Sequence, residues 1–161
     1  VKTFREFLAE GDSENWKAQA ETGFWGRHGA GLLFLAQDTG RLLINQRSQY
    51  VNEPFTWGTW GGSIDDDGSA KVAAEREARE ETGYKGPLEL EHVWTFKHRS
   101  GFTYQNFIGV VPKEFKPVLD WESVGSKWVH HGRWPRPLHT GLKALINSGR
   151  LSKYANIQEQ P

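Results

Sequence analysis

Residues 69–82, SAKVAAEREAREET, constrain the fold and chemistry of this chain more than any other stretch. They contain neither Gly nor Pro and are filled with good helix formers, with Ser69 placed to cap the start and Gly83 to stop the end. Within that helix Glu77, Glu80 and Glu81 stand at i, i+3 and i+4. At about 100° per residue all three carboxylates fall on one side of a single turn. Like charges so close repel by a few tenths of a kcal/mol per pair in water, and by more where water is thinned out. A divalent cation turns that repulsion into a binding site, because hard cations take carboxylate oxygens. The ordinary alternative is a solvated face laced with ion pairs, and Glu75–Arg79 and Arg76–Glu80 do have i,i+4 spacing. Against it, the helix offers a core mainly Val72, Ala74 and Ala78, a narrow apolar face. It is also entered through Gly61-Gly62, which permit close approach of backbone to ligand.

The flanking segments read as a mixed domain. AGLLFLAQ (30–37) and RLLINQRS (41–48), separated by Asp38-Thr39-Gly40, predict two strands joined by a tight turn. LELEHVWTF (88–96) and YQNFIGVV (104–111) predict two more, and SKWVHH (126–131) a short one. PLHTGLKALINSG (137–149) sets Leu138, Leu142, Leu145 and Ile146 at helical spacing, an amphipathic helix over 137–148. The opening TFREFLAEGDSENWKAQAETG (3–23) reads as one or two short helical turns within an extension over 1–25. Strands flanking helices, with no repeat and no long linker, give a single α/β domain over 1–161.

Charge narrows the partners. The 20 Lys+Arg and 20 Asp+Glu of the 161 residues cancel, whereas bulk nucleic-acid and anionic-membrane binders carry a basic surplus. The cancellation is uneven: residues 61–90 hold 4 basic and 8 acidic residues, and residues 91–161 hold 10 and 5. That distribution suits a small anionic substrate delivered to a metal. With no Cys there is no disulfide, thiolate metal site or cysteine nucleophile. No apolar run approaches the roughly 18 residues of a bilayer span, and the first residues are charged rather than signal-like. A soluble, cytoplasmic protein is expected. Val at position 1 and the absence of Met suggest a trimmed start.

Arg76-Glu77-Ala78-Arg79-Glu80-Glu81-Thr82-Gly83-Tyr84 resembles the R-E-U-x-E-E-x-G-U half of the Nudix box, where U is a bulky or aliphatic residue. Gly62 lies at the expected distance upstream, so the box spans 62–84, and Gly61-Gly62-Ser63-Ile64-Asp65 resembles the family's glycine-rich loop. The order of flanking elements extends the likeness over about 28–148. One position departs: Gly68 stands where the box usually has its first Glu, with Asp65, Asp66 and Asp67 nearby as possible substitutes.

The resemblance implies an α/β/α sandwich, a mixed sheet between helices. It also implies a pyrophosphohydrolase that cleaves a nucleoside diphosphate linked to another moiety, with Mg2+ or, in its place, Mn2+. Glu77, Glu80 and Glu81 are then the metal ligands, with the Gly61 carbonyl a further candidate. Arg76 is expected to orient these carboxylates and keep them ionised. The general base is either a Glu of the box or the loop residue Glu122. Arg47, at the end of LLINQR, is a candidate phosphate contact. Trp57 and Trp60 are candidates for stacking on a base, although most of the eight Trp are expected to pack. His130 and His131 point to opposite faces if they lie in a strand, which is poor geometry for one metal. The partner is a small phosphorylated nucleotide; its identity is open, as is the oligomeric state, a homodimer included. Gly68 keeps a second reading alive, a Nudix-fold nucleotide-binding or sensor module with weak or no activity.

Overall fold

The computed structural model describes residues 27–64 and 68–155. The helical turns expected in 3–23 and the Asp65–Asp67 run lie outside the described residues. Seven strands form one sheet: β1 His28–Ala36, β2 Leu42–Arg47, β3 Trp57–Gly58, β4 Trp60–Ser63, β5 Glu89–Lys97, β6 Thr103–Val111 and β7 Ser123–Val129. Two helices, α1 Ala70–Thr82 and α2 Thr140–Asn147, and a 3-10 turn at Ser152–Tyr154 complete the described part.

The sheet runs β3-β2-β1-β6-β5, with β4 paired to β1 and β7 to β2. β1 and β6 are parallel and the other pairs antiparallel. A central strand covered on both faces should be almost continuously apolar, and every residue of β1 after His28 is buried. β1 changes partner along its length. Gly29, Ala30, Gly31 and Leu32 pair with β4, whereas Phe34 and Leu35 pair with β2.

Alternation along the strands divides the core into two layers. Ala30, Leu32, Phe34 and Trp60 pack with Ala73, Ala74 and Ala78 of α1. Leu33, Leu35, Ile44 and Ile108 pack with Leu142 and Leu145 of α2. The sheet therefore lies between helices, as the sandwich reading requires.

Several local expectations hold. Ser69 Oγ accepts from the Val72 N–H at 3.1 Å, and Gly83, at φ 70°, donates its N–H to Arg79 O. Three details differ. Val72 is exposed and Ala73 takes the core position, because the helix phase is set by Ala74, Ala78 and Glu81 facing inward. Gly61 and Gly62 lie in β4 rather than a loop, since β1 offers them free backbone partners in Gly31 and Ala30. The last sheet strand begins at Ser123 and ends at Val129, leaving His130 and His131 in the turn beyond it.

Candidate metal and phosphate site

Glu77 and Glu81 leave α1 one turn apart, on the side that faces β4 and the loop before β7. Glu122 sits in that loop, where its backbone is fixed twice. Its N–H donates to Asp120 Oδ1 at 2.9 Å, and its carbonyl accepts from the Ser48 N–H at 2.8 Å. The β2–β7 pairing, with Arg47 opposite Ser123, sets the register that carries Glu122 to the helix. Among the described residues, Glu77, Glu81 and Glu122 form a group whose carboxylate oxygens lie within 4.8 Å of one another.

Glu81 is the buried member, 5 % exposed, and its Oε2 accepts from the Gly61 N–H at 3.2 Å. Burial, then the carboxylates of Glu122, Glu77 and Asp120, push its carboxyl well above the usual carboxylate range. At Glu81, burial and like charge thus act against the ionisation expected from Arg76. Arg76 does reach its neighbours, with Nη1 3.0 Å from Glu77 Oε1 and 3.6 Å from Glu80 Oε2. Glu80 thus turns toward Arg76 and lies apart from the trio.

The donor set fits a hard divalent cation. All three groups are carboxylates, suited to Mg2+ or Mn2+ rather than to thiolate-seeking metals. Without a cation, three carboxylates this close oppose one another's ionisation, the direction in which the Glu81 carboxyl is pushed. Gly62 backs the site closely, since a Cβ there would lie 3.0 Å from the Glu77 carboxyl carbon.

Arg47 lies beside this group at the end of β2. Its Nε donates to Asn52 O at 2.6 Å, and burial lowers its pKa against the opposing pull of Tyr104, Glu53, Glu81 and Glu122. Trp57 packs partly buried against the α2-side core. Trp60 is a correction: it is 0 % exposed, donates Nε1–H to Leu43 O at 3.0 Å and meets Phe34 edge-on. No ring face is left for a base. Its alternation partner Gly61 supplies only backbone to the site.

Two groups near the site were not singled out from the sequence. Tyr104 of β6 has its phenol pushed up to about 12, by burial first. Glu53 accepts from Thr140 N, from Thr140 Oγ1 and from His139 Nε2, clasping the 48–56 segment to the start of α2. The His139 pKa is lowered to about 4, by burial and then by Arg47, so at neutral pH its neutral ring donates Nε2–H to Glu53 and accepts from Gly141 N–H at Nδ1. Glu53 and Phe55 hold positive φ (50° and 63°), backbone that the clasp helps to maintain. The sequence signal for Tyr104 is the alternation of Gly29 and Gly31 on the facing strand.

No helix among the described residues is long and apolar enough to cross a membrane. The chain spans about a third of one curated relative, the CMP-5'-(N-acetyl-N-hydroxy-3-aminopropyl)phosphonate hydrolase of Streptomyces rubellomurinus, at 34% identity over 73 residues, 45% of this chain and 35% of that protein. A Mycobacterium tuberculosis protein named "Putative 8-oxo-dGTP diphosphatase 3" is 29% identical over 146 residues, covering 83% of this chain and 67% of that one. Among solved structures, a Nudix hydrolase from M. smegmatis, RenU, superposes with a TM-score of 0.69 at 27% identity, covering 81% of this chain and 88% of that one. A C. elegans Ap4A hydrolase shares the fold, with a TM-score of 0.61 at 20% identity over 78% of this chain and 98% of that one. The NUDIX domain family model matches residues 26–146, which takes in every strand, the carboxylate trio and nearly all of α2; the chain belongs to the Nudix hydrolase family.

Proposed function

We propose that this chain is a Mg2+-dependent pyrophosphohydrolase that cleaves a nucleoside diphosphate linked to another moiety. The observation that carries the reading is the convergence of Glu77 and Glu81 from α1 with Glu122 from a loop. A divalent cation bound there supplies charge neutralisation at phosphate oxygens and a more acidic water.

The chain's own residues do the rest. Glu77, Glu81 and Glu122 would hold the cation, with the Gly61 carbonyl and Glu80 as further candidate ligands. Arg76 orients Glu77 and Glu80. Glu122, on its loop, accepts a proton from the water that attacks phosphorus, as the anhydride P–O bond breaks and the leaving phosphate departs with the bonding pair. Arg47 supports the substrate's phosphates with positive charge. Mn2+ is expected to substitute. The names of the M. tuberculosis and S. rubellomurinus relatives support a nucleotide-type substrate.

A second reading, a binding or sensor module without turnover, is favoured by Gly68 alone. Gly68 has φ 79° just before the Ser69 cap, a backbone that disfavours the Glu found there in the box. A nucleotide panel with Mg2+ and with Mn2+ separates the two readings. The enzyme releases phosphate-containing products from at least one member, whereas binding without turnover across the panel establishes the module.

A further inference from the structure

We infer that Tyr104 is a positioning residue: its ring seats the β4 backbone at the height from which the Gly61 N–H meets Glu81. The inference rests on the site proposed above and adds a residue to it. Gly29 and Gly31 face the same side of β1, and Tyr104 pairs with Gly29 across the parallel β1–β6 ladder. The phenol ring lies along the trough these glycines leave. A Cβ at Gly29 would come 2.6 Å from Tyr104 Cδ2, one at Gly31 would collide with Oη, and one at Gly61 would lie 2.5 Å from Oη. Three glycines from two strands thus converge on one side chain.

The far end of that side chain is where the sheet changes partner. Tyr104 Oη lies 3.1 Å from Thr59 Oγ1, two residues before Gly61, so the ring is tied to the chain that enters β4. β4 is four residues long and, among the described strands, pairs with β1 alone, so its position is set by β1 and by what packs on its two faces. Trp60 anchors it from the α1 side and Tyr104 supports it from the other. Gly61 then donates to Glu81 at 3.2 Å, and Gly62 lies against the Glu77 carboxyl. A small shift of β4 therefore disturbs two of the three carboxylates at once.

The test is amide hydrogen exchange at Gly61 in the metal-free protein, read by NMR, together with calorimetric Mn2+ titration. The variants are Tyr104→Leu, Tyr104→Phe and, as a control for lost stability, Leu142→Ala on α2, which shares Tyr104's side of the sheet. Tyr104→Leu is expected to lower Gly61 protection by about tenfold relative to the control. It should also weaken Mn2+ binding by about tenfold, the loss typical when a ligand's support is removed. Tyr104→Phe keeps the ring but loses the oxygen over Gly61, and should fall between wild type and Tyr104→Leu. The inference is overturned if Tyr104→Leu changes Gly61 protection no more than Leu142→Ala does. If Tyr104→Leu does not fold, Tyr104→Phe decides, and wild-type protection of Gly61 in that variant overturns the inference. Exchange is read without substrate, so a wild-type protein that cleaves no nucleotide removes the proposed function and leaves the Gly61 result standing.

Discussion

The two helices that flank the sheet are held by different means. α2 buries Leu142 and Leu145 almost completely, in a layer that also holds Leu151 and Tyr154. Each such leucine contributes roughly 1.5–3 kcal/mol by leaving water. α1 presents Ala73, Ala74 and Ala78, which bury little area but let the helix approach the sheet closely. That closeness is what brings Glu81 within reach of the Gly61 N–H. α1 makes up some of the missing burial at its ends and along its outer face, through the Ser69 cap, the Gly83 stop and the Arg79–Glu75 pair at 3.1 Å. The difference teaches that one helix serves chiefly to hold the sheet and the other to hold charges where they are costly.

Damage to the two helices should therefore separate chemistry from stability. The largest effect is expected for Glu81→Gln, which should lower turnover by roughly a hundredfold or more. The same change should stabilise the metal-free protein. In the native state the Glu81 carboxyl keeps its proton above the ordinary carboxylate range. Its contribution is thus fully present below the unfolded-state pKa and is lost as pH rises through the raised native value. Removing the ionisable group removes that loss, so at neutral pH Glu81→Gln should be more stable than wild type in denaturant melts. A destabilised Glu81→Gln would show that α1 does not carry a costly charge at this position. On the other helix, Leu142→Ala should cost about 2–5 kcal/mol in the same melts. Its turnover well below the unfolding transition should stay within about twofold of wild type, since Leu142 touches none of the carboxylates. A smaller effect is expected at the start of α1, where Ser69→Ala removes the acceptor of the Val72 N–H and should cost about 0.5–2 kcal/mol.

What was legible in the sequence follows the same division between local and distant causes. α1 and its caps were readable because Ser69, Gly83 and the Glu spacing act within a turn or two of themselves. The β1–β2 hairpin was readable for the same reason, through Asp38-Thr39-Gly40. Which residues face the core was less so: Val72 has the greater hydrophobicity, but the phase imposed by the sheet buries Ala73. Trp60 looked like a base-stacking ring because it stands beside the glycines, and only strand alternation and the Leu43 carbonyl reveal it as core. Gly61-Gly62 reads as a loop because glycine disfavours strands, until Gly31 and the small Ala30 are set opposite. Glu122 is legible only through the family resemblance. Its meeting with Glu77 and Glu81 depends on the β2–β7 register and the Ser48–Glu122 hydrogen bond, pairings between segments far apart in the chain.

The central claim is that helix and loop build one cation site. Calorimetric titration of Mn2+ into the wild type, Glu81→Gln and Glu122→Gln, without nucleotide, tests it most directly. Each substitution is expected to weaken binding by about tenfold or more, the loop residue as surely as the helix residue. Wild-type affinity in Glu122→Gln, with affinity lost only in Glu81→Gln, would contradict it.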